Sequence, residues 1–301
     1  VSIVDAIVLG TLQGLTEFLP VSSSGHLALL LYFRGLRDVP RFFDVMLHVG
    51  TAAAVAAYYG RALWRSSGGG ALLPLMGLRG EDSCDGGIRG RRFRIVWLLL
   101  LAMLPTVVAA LVFRSSAGES TRGPSSQISW RARIGDWRDS APERPWLVVG
   151  FLSGTGVVVL LGAHFRHGSF DAMTTRWPHA IGIGVAQAIS AVCPGLSRSA
   201  VTITAATACG LRPEWAVHFS LLLSLPTVLG AAVLKAADVD RDWLTPANVR
   251  ATLIGSLTSA VVGWLCIAGL LRAVRRGRWW WFAVYVWSLS ALVAVVLWVG
   301  R

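Results

Sequence analysis

Charge is scarce in this chain, and lysine is almost missing from it. Asp, Glu, Lys and Arg together make up 15% of the 301 residues, against 54% hydrophobic, and the mean hydropathy is +0.59. Such a balance excludes a soluble globular domain of this length. Basic residues outnumber acidic ones by 28 to 16, but Lys235 is the single lysine and most arginines lie between apolar runs. The surplus therefore reads as a topology signal for anionic lipid headgroups, and no compact basic domain with interleaved aromatics points to nucleic acid. Cysteine is equally sparse: Cys193, Cys209 and Cys266 fall in apolar segments, Cys84 falls in a loop, and no Cys-x-x-Cys spacing occurs. Neither a disulfide framework nor a zinc site is supported. The first apolar run, 3–18, lacks a basic flank and a small-residue cleavage site and carries Gln13 and Glu17, so it is expected to be mature protein rather than a signal peptide.

What the chain does have is hydrocarbon-length apolar runs, at 95–113, 146–165, 215–234, 249–271 and 279–299, with a shorter one at 44–59. About 17 to 25 residues cross a bilayer. Two further regions, 3–36 and 179–210, are apolar on both sides of a central break of Pro and small polar residues. They predict helix, turn, helix hairpins that enter and leave on one side, buried in the bundle because unpaired backbone groups in lipid cost several kcal/mol. The fold class expected is an all-α polytopic membrane protein. The Gly-, Ser- and Arg-rich stretches 60–94 and 114–145 read as exposed loops. Trp279, Trp280 and Trp281 open the last run as an interfacial belt would, the basic loop holding Arg272, Arg275, Arg276 and Arg278 predicts a cytoplasmic turn, and Asp238, Asp240 and Asp242 mark the preceding loop as external.

Gly10, Gln13, Pro20 and Ser23 recur as Gly184, Gln187, Pro194 and Ser197 at one offset, and 43–51 (FDVMLHVGT) resembles 219–227 (FSLLLSLPT). This predicts an inverted-topology internal repeat in a single membrane domain, 1–301. The first repeat is placed at 1–113, the second at 179–271, and 272–301 is a C-terminal span. Duplicated broken helices build a site where the halves meet, which makes His26 and Arg198 expected neighbours.

The two breaks place reactive groups where lipid is expected. Gln13 and Glu17 share a helix face, Pro20 ends regular geometry, and Ser22, Ser23, Ser24 and Gly25 begin a returning helix whose N–H groups form an anion cradle. His26 is close enough in sequence to move a hydroxyl proton, with Glu17 orienting it or holding a cation. The second break adds the permanent charge of Arg198 between Ser197 and Ser199, after Pro194 and Gly195, with Thr202 one turn on. Asp44 and His48 share a helix face and suit a supporting hydrogen-bond role. His164, His167 and His179 fall at span ends, and Asp171 and His218 carry no assignment.

QGLTEFLPVSSSGH at 13–26 and PGLSRSAVT at 194–202 resemble the two signature motifs of the undecaprenyl-diphosphate phosphatase family, the bacitracin-resistance phosphatases of bacterial membranes. FFDVMLHVGT, FDAMT at 170–174 and FSLLLSLPTVLGA at 219–231 extend the resemblance over most of the chain. It implies hydrolysis of undecaprenyl diphosphate to the monophosphate and phosphate, recycling the lipid carrier of cell-wall synthesis. It also implies a bacterial inner-membrane location with a site open to the periplasmic face. Glu17, Ser23, His26 and Arg198 take catalytic positions, and Gln13, Ser22, Ser24, Gly25, Gly195, Ser197, Ser199 and Thr202 substrate-binding ones. A divalent cation, Mg²⁺ or Ca²⁺ on Glu17, is a further implication, weakened because Gln13 stands where the family often has Glu. Polyprenyl diphosphate and membrane lipid are the partners implied, and a homodimer is left open.

The mechanism expected is attack by Ser23 on the terminal phosphorus, with His26 moving the proton, Glu17 fixing His26 or a cation, and Arg198 with backbone amides holding the equatorial oxygens. In the rival version His26 is the nucleophile. A different class, a secondary transporter or lipid flippase, shares the same duplicated plan.

Overall fold

The structure is a computed structural model that describes residues 1–36, 39, 41–64, 85–117, 144–165, 167–193, 195–236 and 245–300. Cys84, Pro194, Asp238, Asp240 and Asp242 lie outside the described residues. Among the described residues ten α-helices follow in order: α1 (Ile3–Phe18), α2 (Ser23–Arg34), α3 (Arg41–Trp64), α4 (Asp85–Ala117), α5 (Pro145–His164), α6 (Trp177–Val192), α7 (Arg198–Ala208), α8 (Pro213–Ala236), α9 (Pro246–Arg275) and α10 (Trp280–Val299). No strand occurs among the described residues; a single bridge joins Phe170 and Leu211. Among the described residues six helices, α3, α4, α5, α8, α9 and α10, are long and apolar enough to cross a membrane. The chain is a multi-pass, all-α membrane protein.

These six are the apolar runs read from the sequence, but helical backbone runs past several of them. The run at 44–59 lies in a helix of 24 residues, and α4 spans 33 residues, from Asp85 to Ala117. The stretches 60–94 and 114–145 are thus partly helical, a correction to their reading as loops. Arginine is a good helix former, so the backbone spiral need not stop where the hydrocarbon-facing composition does.

Both short hairpins begin and end together. Asp5, in the first turn of α1, accepts a 2.6 Å ion-paired hydrogen bond from Arg34 in the last turn of α2. Gly35 then stops α2 in the left-handed region, φ 64, its N–H bonded to the carbonyls of Leu31 and Tyr32, the ending glycine favours. On the other hairpin, Phe170 ahead of α6 exchanges backbone bonds with Gly210 and Arg212 just beyond α7, at 3.0 and 2.8 Å. Asp171 holds that turn: its carboxylate accepts from the amides of Met173 and Thr174 and from the Thr174 hydroxyl. Burial pushes the Asp171 carboxyl up, but those donors outweigh it and leave it below the usual carboxylate range. The Thr175 hydroxyl in turn receives the Trp215 indole N–H at 2.8 Å. FDAMT is therefore a structural turn under α8.

Helix packing runs across the chain rather than along it. α1 and α3 pack on α9, α6 packs on α4, α5 on α10, and α3 on α8. Small residues make the closest approaches, as in membrane bundles generally. Gly10 lies against the backbone of Gly255, Gly50 against Ser256 and Gly184 against Ala102. Ser256 and Ser259 donate across this seam to the carbonyls of Met46 and Leu47. Large apolar side chains such as Leu253, Leu257, Leu292 and Trp298 are exposed on the outside, where a bilayer would solvate them.

Candidate active site

The first break is four residues, Leu19 to Ser22, between the end of α1 and the start of α2. Ser22 is the one described non-glycine residue with positive φ, at 72, a conformation that costs about 1–3 kcal/mol. What it achieves is a cap on both its oxygens. The Ser22 hydroxyl accepts from the Gly25 amide at 3.2 Å, and the Ser22 carbonyl accepts from the His26 amide at 3.2 Å and from His26 Nδ1 at 2.7 Å. The second break is built alike. Ser197 caps α7 through its hydroxyl, which accepts from the Ala200 amide at 3.2 Å, and its carbonyl accepts from Val201. Here Gly195, at φ 94, supplies the left-handed residue without strain.

The breaks touch. A Cβ on Gly25 would meet Gly195 Cα at 3.4 Å, and the Ser199 hydroxyl donates to the Leu19 carbonyl at 3.1 Å. At their junction sits Glu17, buried at the end of α1. Its Oε2 accepts from the Ser23 hydroxyl at 2.6 Å and from the Gln13 amide at 2.9 Å, and its Oε1 accepts from the Arg198 guanidinium. His48 Nε2 lies 3.6 Å from the same carboxylate. A small open-sided recess, lined among others by Glu17, Arg198, Ser199, Thr202, Ser220 and Ser224, runs from this cluster toward α8.

Two expected contacts are arranged differently. Glu17 serves Ser23 rather than the imidazole, and Arg198 reaches Glu17 rather than His26; among the described residues no hydrogen bond joins His26 to Ser23 or to Arg198. The reason is helical geometry. Ser22 ends the break, so His26 falls one turn into α2 and its Nδ1 closes back on the Ser22 carbonyl. Nε2 then faces away, to the Tyr285 hydroxyl of α10 at 2.9 Å, with the two rings stacked at 5.8 Å and 6°. Ser22, Gly195 and Ser197 lie in the two breaks, Gly25, Ser199 and Thr202 follow them on α2 and α7, and Gln13 sits one turn before Glu17 on α1; Ser24 is near Ser22, their hydroxyls 3.5 Å apart.

Of the side groups, His48 Nδ1 donates to the Asp44 carbonyl at 2.9 Å and lies 3.8 Å from the exposed Asp44 carboxylate, so both groups of Asp44 face it. His218, fully buried, shares a 2.6 Å hydrogen bond with Tyr59. His179, at a span end, is half-buried: it caps α6 by accepting from the Arg176 amide and stacks on Phe170 at 4.9 Å.

Three residues escaped the motifs. Thr155 of α5, completely buried, accepts from the Ser197 amide at 3.0 Å and reaches the Gly195 carbonyl at 3.3 Å. Ser220 of α8 bonds Thr202 at 2.6 Å, and Tyr285 holds His26. Nothing near Thr155 or Tyr285 in sequence marks them; Ser220 lies in a segment the repeat singled out.

The donor set does not fit a divalent cation held by side chains. Both Glu17 oxygens already take donors, and among the described residues no three His, Cys, Asp or Glu gather as ligands. Gln13 is fully buried with its amide NH₂ turned to Glu17 and its Oε1 unpartnered. It fills with a donor the place where a second carboxylate would call for a shared cation.

Known proteins resemble the chain over almost its whole length. Residues 6–292 match the family described as Bacitracin resistance protein BacA. An undecaprenyl-diphosphatase of Rubrobacter xylanophilus is 38% identical over 298 residues, 98% of each chain. One of Moorella thermoacetica is 34% identical over 310 residues, the whole of both chains, and one of Geobacter metallireducens is 36% identical over 273 residues, 90% of this chain and 89% of that protein. With both signature breaks meeting on one buried glutamate and the match running nearly end to end, the chain belongs to the bacitracin resistance protein BacA family.

Proposed function

We propose that the chain is a membrane phosphatase that hydrolyses undecaprenyl diphosphate to undecaprenyl phosphate and inorganic phosphate. It thereby returns the lipid carrier to peptidoglycan and cell-wall synthesis, sustains cell shape and confers bacitracin resistance. The observation that carries the chemistry is Glu17, whose two oxygens take the Ser23 hydroxyl and the Arg198 guanidinium. A carboxylate 2.6 Å from a hydroxyl is a base in position, and the cation beside it is where phosphoryl oxygens would be held. Ser23 Oγ attacks the terminal phosphorus, its proton passes to Glu17, and the bond to the bridging oxygen breaks, releasing undecaprenyl phosphate. Arg198 and the first amides of α2 and α7, which lack intrahelical partners, hold the equatorial oxygens. Water then attacks the phosphoserine, the bond from phosphorus to Ser23 Oγ breaks, and Glu17 returns its proton to that oxygen as it takes one from the water. His26 as nucleophile is disfavoured, because its Nδ1 donates to the Ser22 carbonyl and its Nε2 holds a hydroxyl.

Two inverted sets of five helices, α1–α5 and α6–α10, account for the packing. Exchanging each helix for the one five later turns α1 on α9 into α6 on α4, and pairs α3 with α8 and α5 with α10. The sets are larger than the repeats drawn from sequence: α5 joins the first and α10 the second. The second break is one residue longer, so Ser22 corresponds to Ser197 and Ser23 to Arg198. One half thus contributes the nucleophile and the other the cation, each bonded to one oxygen of Glu17. Each set holds one re-entrant hairpin and three spans, an odd number of crossings, which inverts the second set. With the α9–α10 turn cytoplasmic by its arginines, the first hairpin enters from the periplasmic side of the inner membrane. A divalent cation and a homodimer are not needed for this reading.

Phosphate release from undecaprenyl diphosphate in detergent tests it. Ser23→Ala should abolish turnover, and the wild type should trap radiolabelled phosphate on Ser23. Label on His26 with undiminished turnover in Ser23→Ala refutes the serine mechanism, and no release by the wild type refutes the hydrolase.

A further inference from the structure

The reaction leaves a proton behind. Ser23 recovers its own from Glu17, but the one that Glu17 takes from the attacking water stays on a carboxyl whose side chain is 4% exposed. Until that proton is gone, Glu17 cannot deprotonate Ser23 for the next substrate. Among the described residues two basic groups stand at this carboxylate: Arg198 on Oε1, and His48 of α3, whose Nε2 is 3.6 Å from Oε2. Oε2 is also the oxygen that faces Ser23. A guanidinium stays charged and has no acceptor atom, so Arg198 cannot take a proton. The imidazole can. Its Nδ1 lies 2.9 Å from the Asp44 carbonyl, which only accepts, so the neutral ring has its proton on Nδ1 and a lone pair on Nε2. Beyond it the way opens outward: the His48 side chain is 23% exposed, and the Asp44 carboxylate, 3.8 Å from Nδ1, is 51% exposed. A carboxylate is costly in hydrocarbon, so this edge of α3 faces water rather than lipid. Ser220 and Ser224, which the repeat aligns with Asp44 and His48, give the α8 side of Glu17 only hydroxyls, and these do not hold a proton.

We propose that His48 is the proton acceptor through which Glu17 is reset between turnovers. The proposal rests on the role of Glu17 as base under Proposed function. Once inorganic phosphate has formed, the Glu17 Oε2–H bond breaks and an Nε2–H bond forms, leaving a carboxylate and an imidazolium. The 3.6 Å gap closes to hydrogen-bond distance by a side-chain movement of about 0.5–1 Å. The new cation then lies between two opposite charges, the Glu17 carboxylate at Nε2 and the Asp44 carboxylate at Nδ1. Water at the exposed edge of the ring takes the proton from Nε2, and the neutral ring returns. The ring hangs from a pinned stretch of α3. Ser256 and Ser259 of α9 hold the carbonyls of Met46 and Leu47, and the Thr51 hydroxyl donates to the His48 carbonyl at 2.8 Å.

The test is rapid-mixing phosphate release from excess undecaprenyl diphosphate by the full chain in detergent. Glu17 starts ionised, so the first turnover needs no His48. His48→Ala should release its first phosphate per enzyme within about twofold of the wild-type rate. Later turnovers should be slower by about 10²-fold, the low end of what a positioned proton-transfer group contributes. Free imidazole, entering the space the side chain leaves, should speed that slow phase several-fold. His48→Gln fills the space and can still donate to the Asp44 carbonyl but has no basic nitrogen, so it should show the same two phases without the rescue. Steady turnover at the wild-type rate in either variant overturns the proposal, because inorganic phosphate then carries the proton away. A first turnover slowed as much as the later ones, the mark of a structural role, also overturns it, as does a slow phase in His48→Ala that ignores imidazole. If His48→Ala does not fold, the two phases of His48→Gln decide. Full activity of Glu17→Gln removes the base role of Glu17 and this proposal with it, a result that does not involve His48 and is told apart from the others.

Discussion

Thr155→Val tests whether the second break is held in shape from α5. The side chain is completely buried, and its oxygen is the acceptor for the Ser197 amide at 3.0 Å, one residue before Arg198. Valine matches threonine in shape but offers no acceptor, so the Ser197 N–H stays buried without its partner. Leaving a buried donor unsatisfied costs about 1–3 kcal/mol. The Gly195 carbonyl, 3.3 Å from the same oxygen, loses a weaker contact, and a carbonyl tolerates that better than an amide does. If the break relaxes to find another acceptor, Arg198 shifts against Glu17, and the whole loss falls on the transition state as roughly one to two decades in kcat/KM. If it does not relax, the same energy appears as a lower melting midpoint. Thr155→Ser separates hydrogen bonding from shape: it keeps the oxygen and removes one methyl, which costs about 0.5–1.5 kcal/mol of stability with kcat/KM unchanged. Phosphate release and thermal unfolding in one detergent measure both quantities. Thr155→Val with wild-type rate and midpoint, or Thr155→Ser as damaging in rate as Thr155→Val, would refute the reasoning.

Two further outcomes follow from particular contacts. Arg198→Lys keeps a positive charge but not the planar fork that can grip phosphate with two donors, and phosphate release should drop by about 10²- to 10³-fold with thermal unfolding near wild type. Gly184→Ala should destabilise the protein by about 1–3 kcal/mol, read as a lowered unfolding midpoint, because the new Cβ meets the Ala102 backbone, which cannot rotate aside. Gly230→Ala, where a Cβ meets nothing, is the matched control and should leave the midpoint unchanged or slightly raised.

Much of this protein is legible in one dimension because a bilayer imposes simple rules. Twenty or so apolar residues must form a helix that satisfies its own backbone, so the six long helices stand out by composition alone. The two breaks stand out for the opposite reason, since Pro, Gly, Ser and a charge are costly at that depth. Composition was a poorer guide where cost is low: α3 and α4 continue into residues that read as loop, because an Arg-bearing helix end in the headgroup region offends nothing.

Within the site, the residue types were readable and their pairing was not. Local spacing suggests that His26 serves the serines beside it. One turn of α2 directs its ring instead to the Ser22 carbonyl and to Tyr285, 259 residues away, while Ser23 turns back to Glu17. Thr155 and Tyr285 sit in ordinary apolar helices, and their hydroxyls acquire meaning only from what another helix lays against them. The sequence by itself determined that this chain crosses a membrane and carries phosphate-handling groups at two interruptions, because both follow from what hydrocarbon excludes. Only the tertiary structure decided which donor meets which acceptor, because a hydrogen bond acts over about 3 Å and that distance is set by helices packed from opposite ends of the chain.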